Sequence, residues 1–339
     1  MKERKAWIAG VSGTKLTLDE VAFFRDETPW GFILFARNIE SLDQVADLTA
    51  HMRELTGHEQ TPVFIDQEGG RVQRLRPPLV PNYPAAAEIG AIYSRDQEAG
   101  LRAAWLQARL HAFDLLKVGV TADCLPVLDV PIEGAHDVIG ARAYSKNPHE
   151  VAEMGRAATE GLLAGGVLPV VKHMPGHGRA FADTHKELAR VGVPLSELLA
   201  HDFVPFKALN DLPMAMTAHV IFDCLDPQRP STLSPTVIDA IIRDVIGFDG
   251  LLMSDDLSMK ALSGNLGDLA ENITSAGCDI VLYCAGVMEE LIEVAARVPV
   301  LSGKSLRRAE LAELYAGEPD LSDEQELRAE FNGMFEAVA

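Results

Sequence analysis

Short apolar runs recur along the chain, and most are separated by segments whose apolar residues follow helical spacing. Eight of these runs have the length and the side chains typical of buried strands. They are Trp7–Val11, Phe32–Phe35, Val63–Ile65, Val120–Cys124, Leu168–Val171, Ala215–Val220, Leu251–Met253 and Ile280–Tyr283. The helices predicted between them include Leu42–Leu55, Ala99–Lys117, Pro148–Ala164, Leu195–Leu209, Pro235–Ile246 and Gly267–Ala276.

Strands that alternate with helices predict a parallel sheet, and eight strands are the number that closes a (β/α)8 barrel. An open doubly wound sheet is the alternative. Such a sheet usually carries a glycine fingerprint after an early strand, and neither G-x-G-x-x-G nor G-x-x-x-x-G-K-[ST] occurs in this chain. We therefore predict an α/β fold consisting of a single TIM-like (β/α)8 barrel.

The chain shows no low-complexity stretch, linker or short repeat, so we assign residues 1–339 to one catalytic domain. An acidic, helical tail is expected from about residue 305. The residues in excess of a minimal barrel must lie in long loops, chiefly Gln67–Glu98, Asp129–Asn147 and Pro175–Pro194. Long loops at the top face of a barrel usually shape a substrate pocket.

The charge and the cysteines exclude several classes of protein. A formal net charge of -20 disfavours binding to nucleic acid and to anionic membranes. The four cysteines form no C-x-x-C pair, so they predict neither a disulfide framework nor a zinc ribbon. Residues 1–5 lead into a strand without an apolar signal core, and no apolar stretch is long enough to span a bilayer. We expect a cytoplasmic monomer.

Reactive side chains follow several predicted strands at the point where each strand ends. Asp66, the pair Lys172-His173, His219 and the pair Ser254-Asp255 all occupy such positions. The carboxyl ends of barrel strands converge on one face, where the active sites of this fold lie. One such residue alone could be a hydrogen-bonded buried group, but four at corresponding positions favour a functional site.

The segment Lys172–Gly178 and the following Asp183-Thr184-His185 concentrate three histidines and an aspartate. Their spacing matches no helical zinc motif, so we predict no metal and no cofactor. A loop fixed by buried histidines is the alternative reading, and it suits His173 or His177. Asp183 and His185 point the same way in an extended segment. A carboxylate beside an imidazole orients the ring, and such a histidine can protonate a leaving group near neutral pH.

Asp255 and Asp256 are adjacent at a strand end and should face opposite directions. An ionised carboxylate there can attack an anomeric carbon. The alternative is a cap for a helix starting near Leu257, a role that suits Asp256 better. Asp66 can accept hydrogen bonds from vicinal sugar hydroxyls. For the nearby arginines, spacing alone does not separate contact with a ligand from bracing of a loop; they are Arg71, Arg74 and Arg142.

Five ordered motifs carry a resemblance to a known family. They are Asp66-Gln67-Glu68-Gly69-Gly70-Arg71-Val72, Ile139-Gly140-x-Arg142, Lys172-His173-x-Pro175-Gly176-His177-Gly178, Asp183-x-His185 and the segment from Gly250 to Met259. From about Trp7 to Ala285 the chain resembles the family 3 glycoside hydrolases. It is most similar to the bacterial cytoplasmic β-N-acetylglucosaminidases of peptidoglycan recycling, which serve cell-wall biogenesis, cell shape and cell division.

The resemblance implies a role for each matching residue. Asp255 would be the nucleophile, His185 the general acid and base, and Asp183 the orienting partner of His185. The terminal sugar would be bound by Asp66, Arg74, Arg142, Lys172 and His173. The implied substrate is a muropeptide or other amino-sugar oligosaccharide, typically N-acetylglucosamine linked to 1,6-anhydro-N-acetylmuramic acid with or without a peptide. The implied reaction is retaining hydrolysis of the terminal, non-reducing residue.

Three alternatives stay open on the same scaffold. The chain could be a β-glucosidase or β-xylosidase, or an N-acetylglucosaminide phosphorylase that uses phosphate in place of water. It could also be a muropeptide-binding protein without catalytic activity.

Overall fold

The computed structural model describes residues 3–180, 188–315 and 317–336. At its centre is a nine-stranded parallel sheet. In chain order its strands are β1 (Lys5–Gly10), β2 (Pro29–Leu34), β3 (Val63–Ile65), β4 (Ala122–Asp123), β5 (Leu168–Pro169), β6 (Val171–Met174), β7 (Met214–Thr217), β8 (Leu251–Asp256) and β9 (Ile280–Tyr283).

The sheet closes on itself as a barrel. β1 pairs with β2 on one side and with β9 on the other, where Trp7 lies opposite Val281. At the far side, β5 pairs with β4 and β6 pairs with β7. Only Val170 separates β5 from β6, so the two act as one irregular strand that completes a ring of eight. The predicted TIM-like (β/α)8 barrel is confirmed, and its eight strands coincide with the eight apolar runs.

Alternating residues of the strands form two apolar layers. In β1, Ile8 points into the barrel, whereas Trp7 and Ala9 belong to the outer core beneath the helices. This alternation follows from the twofold repeat of a strand, and it explains why the runs are apolar on both faces. The barrel interior is therefore a packed core rather than a pore.

Eleven α-helices lie around the barrel in the described residues. They are α1 (Leu18–Glu27), α2 (Leu42–Thr56), α3 (Ala86–Tyr93), α4 (Gln97–Lys117), α5 (Pro148–Ala164), α6 (Leu195–Ala200), α7 (Val204–Ala208), α8 (Leu266–Ala276), α9 (Met288–Ala295), α10 (Gly303–Tyr315) and α11 (Glu324–Glu336). The segment Val237–Ile246 forms a π-helix where an ordinary helix was expected. None of the described helices is both long and apolar enough to cross a membrane.

Local signals explain most helix boundaries. The Asn147 side chain caps α5 by accepting from the backbone of His149, and Pro148 occupies the first turn, where no amide donor is needed. The Asp96 side chain caps α4 in the same way. The single helix expected over Leu195–Leu209 is wrong, because the chain breaks into α6 and α7 there. Pro205 lies in the first turn of α7, a position at which its missing N–H costs no helical bond.

The two ends of the barrel are closed differently. Helix α10 packs Leu306, Ala309 and Ala312 against the barrel interior at the N-terminal ends of the strands. Helix α11 packs on α4, where Arg328 forms an ion pair with Asp114. At the C-terminal ends of the strands, the long loop after β3 forms a hairpin, Gln67–Gly69 with Val72–Gln73. A second small parallel sheet pairs Ala189–Val191 with Val220–Phe222.

Candidate active site

A cavity of about 310 Å³ lies at the C-terminal ends of the barrel strands. It brings together the six predicted site residues that the structure describes. Its lining consists of Ile33, Phe35, Asp66, Val72, Arg74, Arg142, Lys172, His173, Met216, Asp255, Asp256, Met259, Leu282 and Cys284. The predicted convergence of strand ends on one face thus holds for β3, β6 and β8. His219, which follows β7, lies behind the lining rather than in it.

Asp66 is held by two cations. Its Oδ1 accepts from Lys172 Nζ at 2.9 Å and its Oδ2 from Arg74 Nη2 at 2.8 Å. Burial alone would raise the pKa of Asp66, but the charges of Lys172 and Arg74 outweigh it and hold the pKa well below its usual range. The carboxylate is therefore ionised, and its remaining lone pairs can accept from a bound polyol.

Glu68 is a buried carboxylate that bridges two of the predicted ligand-binding cations, and sequence reasoning missed it. Its Oε1 lies 2.7 Å from Lys172 Nζ, and its two oxygens accept a bidentate pair from Arg142 at 2.8 Å each. Burial would raise the pKa of Glu68, yet Arg142 and Lys172 lower it to about 2. The signal that could have found Glu68 is its position two residues after Asp66.

The structure separates the two roles that the sequence left open for the three arginines, contact with a ligand and bracing of a loop. Arg74 and Arg142 line the cavity. Arg71 instead donates to the backbone carbonyl of Asp137 at 2.6 Å, and it also bonds to that of Val138, so it braces the loop.

Asp129 is a second buried carboxylate that sequence reasoning missed. Its Oδ2 lies 2.6 Å from His173 Nδ1, and its Oδ1 accepts from the backbone N–H groups of His173 at 3.3 Å and His177 at 2.7 Å. His177 is also buried, and burial lowers its pKa to about 4. The alternative reading, a loop fixed by buried histidines, thus fits His177, whose backbone is anchored on a carboxylate of the preceding loop.

Asp255 differs from the other carboxylates of the cavity. Its Oδ1 accepts from the backbone N–H of Asp256 at 2.7 Å, and within the part of the chain that the structure describes no lysine or arginine forms an ion pair with it. Burial would raise the pKa of Asp255, but nearby His219, His173 and Lys172 lower it. Asp255 is thus an ionised carboxylate that lines the cavity and has no ionic partner among the described side chains.

Asp256 uses its oxygens within the protein. Oδ1 accepts from the backbone N–H groups of Ser258 at 3.0 Å and Cys284 at 3.1 Å, and Oδ2 accepts from the Ser258 hydroxyl at 2.7 Å. The alternative reading, a cap for a helix starting near Leu257, is wrong, because turns follow the strand and the next helix is α8; Asp256 stabilises a turn instead. His219 Nε2 donates to the Asp256 carbonyl at 3.0 Å and so supports the same strand end.

Asp183 and His185, the predicted acid–base pair, lie outside the described residues. The residues before them are firmly placed: Gly178 lies against the Val130 carbonyl with no room for a β-carbon, and Arg179 Nε donates to Asp202 at 2.6 Å. Among residues 3–180, 188–315 and 317–336, no group of three or more His, Cys, Asp or Glu side chains is arranged to hold a metal.

The cavity has the chemistry of a carbohydrate site. Its lining combines carboxylate, ammonium and guanidinium groups, which can bond to vicinal hydroxyls, with apolar side chains such as Phe35 and Met216. The lining also includes an ionised carboxylate, Asp255, that can act as a nucleophile.

Comparison with known proteins agrees with this description. Residues 14–311 match the glycosyl hydrolase family 3 N-terminal domain. The chain is similar to the beta-hexosaminidase of Xylella fastidiosa, with 38% identity over 282 residues that cover 82% of each chain. It is also similar to that of Bordetella pertussis, with 37% identity over 304 residues covering 88% of this chain and 86% of the relative.

The fold is similar to that of NagZ from Neisseria gonorrhoeae, solved in complex with N-trifluoroacetyl-D-glucosamine. The TM-score is 0.85 at 30% identity, and the match covers 99% of this chain and 97% of the other. The family match spans most of the chain, and the relatives exceed 30% identity over more than four fifths of it. The chain therefore belongs to glycosyl hydrolase family 3 and is a glycoside hydrolase.

Proposed function

We propose that the chain is a retaining exo-β-N-acetylglucosaminidase that releases terminal, non-reducing N-acetylglucosamine from peptidoglycan fragments. The observation that carries this proposal is the contrast between two carboxylates in one cavity. Asp66 is paired with two cations, as suits a group that binds hydroxyls. Asp255 is ionised and, within the described residues, forms no ion pair with a lysine or arginine, as suits a nucleophile. The names of the relatives and the ligand of the Neisseria enzyme support the choice of sugar.

The reaction proceeds in two displacements. The Asp255 carboxylate forms a bond to the anomeric carbon while the glycosidic C–O bond breaks, and His185 gives a proton to the leaving oxygen. His185 then removes a proton from water, which attacks the same carbon and frees Asp255. Asp183 orients His185 throughout. Most retaining glycosidases use a carboxylic acid in the place that we assign to His185.

The polar residues of the cavity lining hold the sugar in position for the first displacement. Asp66, Arg74, Arg142, Lys172 and His173 surround the cavity, and Glu68 holds two of these cations in place. The volume of about 310 Å³ lies at the lower end of the range for small-ligand sites, which favours one terminal sugar over an internal stretch of a chain.

Trapping the covalent intermediate tests the proposal. Incubation with a fluorinated N-acetylglucosaminyl substrate, followed by proteolysis and mass spectrometry, should place the label on the peptide that contains Asp255. The Asp255→Asn variant is the control and should carry no label. A label on another residue would reject the nucleophile, and turnover without any label would favour a different mechanism.

Rates on nitrophenyl glycosides test the class of substrate. The N-acetyl-β-glucosaminide should be hydrolysed much faster than the β-glucoside or β-xyloside, and phosphate buffer should yield free sugar rather than sugar 1-phosphate. His185→Ala should slow substrates with poor leaving groups far more than those with activated phenols. Equal losses on both would remove His185 from the acid role.

The remaining expectations belong to the same proposal. We propose that the enzyme acts on its muropeptide substrate in the cytoplasm, as a single-domain monomer without a metal or cofactor. Sedimentation of the purified chain and activity after chelation test the last two points.

A further inference from the structure

Asp129 lies directly behind the cavity lining: it bonds to His173, which lines the cavity, but does not line the cavity itself. It follows β4 in the loop that leads to Arg142, and its side chain is fully buried. Three donors converge on its two oxygens: the His173 ring and the backbone N–H groups of His173 and His177. A carboxylate with this set of bonds has acceptor capacity and nothing to donate.

These bonds determine where the His173 ring carries its proton. At 2.6 Å from an ionised oxygen, Nδ1 must be the donor, because a carboxylate only accepts. Burial would raise the pKa of Asp129, but its contacts with His173 and His177 lower it. Asp129 thus stays ionised, and the ring nitrogen that is left for the cavity is Nε2.

We propose that Asp129 is a positioning residue that holds His173 as the Nδ1–H tautomer and so presents Nε2 to a hydroxyl of the bound sugar as an acceptor. This inference rests on the proposed function, in which His173 binds the terminal sugar. The same carboxylate holds the backbone at His177, four residues further along, so the ring and the start of the following loop share one anchor.

Asp129→Asn tests this role because it changes the hydrogen bonding of the side chain while keeping its shape. Asparagine keeps the shape of aspartate but has only one acceptor oxygen. In the wild-type protein one oxygen of Asp129 accepts from the His173 ring and the other accepts from two backbone N–H groups. Turning the asparagine oxygen to the two backbone amides satisfies two bonds, whereas turning it to the ring satisfies one. The amide nitrogen then faces His173 Nδ1 and donates to it, which moves the ring proton to Nε2 and reverses the polarity that the sugar meets.

The tautomer is measured directly by nitrogen-15 spectroscopy of the histidine-labelled full chain, with His173 assigned from the signals that His173→Ala removes. The wild-type ring should carry its proton on Nδ1 at neutral pH, and Asp129→Asn should carry it on Nε2. A wild-type ring protonated at Nε2, alone or together with Nδ1, would overturn the proposal without any variant. So would an unchanged tautomer in Asp129→Asn.

A double-mutant cycle tests whether Asp129 acts through His173. Asp129→Asn should lower kcat/KM for nitrophenyl N-acetyl-β-glucosaminide on the order of 10- to 100-fold, as expected for a lost hydrogen bond to a fixed partner. In the His173→Ala background the same change should cost less than about threefold, since the partner is already gone. Equal losses in both backgrounds would make Asp129 a structural residue only.

Asp114→Asn is the matched control. Asp114 is likewise a buried carboxylate, but it accepts from Tyr83 at 2.6 Å and pairs with Arg328, away from the cavity. It should lower the thermal midpoint and leave the His173 tautomer and kcat/KM at the wild-type values. If Asp114→Asn also altered the His173 tautomer, the effect of Asp129→Asn would have to be explained by a general loss of stability.

Calorimetry with N-acetylglucosamine separates this proposal from the proposed function. If wild-type protein fails to hydrolyse the glycoside, the proposed function falls, while the tautomer still tests the role of Asp129. If the wild-type protein is active and Asp129→Asn binds N-acetylglucosamine as tightly as wild type, only the role of Asp129 falls.

Discussion

Each end of the barrel contains a network of ion pairs built around buried carboxylates. The two networks differ in whether the protein itself supplies all the partners of the central carboxylates. The cavity network at the C-terminal ends consists of Asp66, Glu68, Arg74, Arg142 and Lys172. It has three cations for two carboxylates, and it faces an empty volume beside Asp255. Its surplus positive charge is matched by the Asp255 carboxylate, whose pKa is lowered partly by Lys172.

The basal network at the N-terminal ends consists of Arg243, Asp249, Asp279, Ser305 and Arg308. Asp279 accepts from Arg243 and the Leu252 backbone with one oxygen, and from Ser305 and Arg308 with the other. Arg307 also pairs with Asp249, so this network likewise has three arginines for two carboxylates, but both oxygens of Asp279 have their donors within the protein. The comparison teaches that buried ion pairs alone do not mark a site; the charges left for a ligand do.

The largest expected effect comes from removing Asp255, a cavity carboxylate that forms no ion pair within the described residues. Asp255→Asn should lower kcat by roughly a thousandfold or more, about 4 kcal/mol in the barrier, because the covalent step loses its nucleophile. The free energy of unfolding should change by less than about 1 kcal/mol. Steady-state kinetics and urea titration measure the two quantities, and a variant with near-normal kcat would contradict the assignment.

Removing the central carboxylate of the basal network should have the opposite effect, a large loss of stability with little change in kcat. Asp279→Ala removes the carboxylate that pairs with Arg243 Nη2 and accepts from the Leu252 amide, which should cost about 3–5 kcal/mol of folding stability. Below its thermal midpoint the variant should keep the wild-type kcat. A selective loss of kcat at full stability would show that the two ends are coupled rather than independent.

The pH dependence of stability sharpens the comparison at the cavity network. The pKa of Glu68 falls from 4.5 to about 2 on folding, so the unfolded chain binds its proton first as the pH drops. Its contribution, roughly 3 kcal/mol, is therefore complete above about pH 4.5 and is lost as the pH falls toward 2. Glu68→Gln should flatten the stability curve in this window. Parallel curves for variant and wild type would show that Arg142 and Lys172 do not stabilise the charge.

The smallest effect is expected where an ion pair lies in solvent. Arg297 pairs with Glu271 at 2.8 Å, but both side chains are more than half exposed. Arg297→Ala should change the free energy of unfolding by less than about 1 kcal/mol and leave kcat unchanged. Chemical denaturation provides the measurement, and a loss as large as that of Asp279→Ala would remove burial as the basis of the comparison.

The barrel could be predicted from the sequence because its strands are buried on both faces. Runs such as Leu251–Met253 and Ile280–Tyr283 are continuously apolar, and this local pattern needs no knowledge of the fold. The helix Pro148–Ala164 was predicted to the residue because Asn147 and Pro148 signal its start. The break between α6 and α7 was missed, since the apolar spacing continues through it.

The cavity lining was predictable where a reactive residue directly follows a strand, as Asp66 and Asp255 do. Glu68 and Asp129 were not predicted as site residues, because their role appears only in contacts with distant positions. Glu68 meets Arg142, and Asp129 meets His173, across 74 and 44 residues of chain. Which carboxylate pairs with a cation and which is left for a ligand is a property of the folded arrangement.

The position of α10 in the chain has a consequence for biosynthesis. Residues 303–315 leave the ribosome after all eight strand positions, yet Leu306, Ala309 and Ala312 cover the apolar floor of the barrel. For a period on the order of seconds the ring of strands is present without the helix that shields this floor from water. A nascent chain paused before α10 would expose the apolar side chains at the N-terminal ends of the strands and could bind chaperones or aggregate. Protection of the barrel from aggregation therefore depends on completing this short helix.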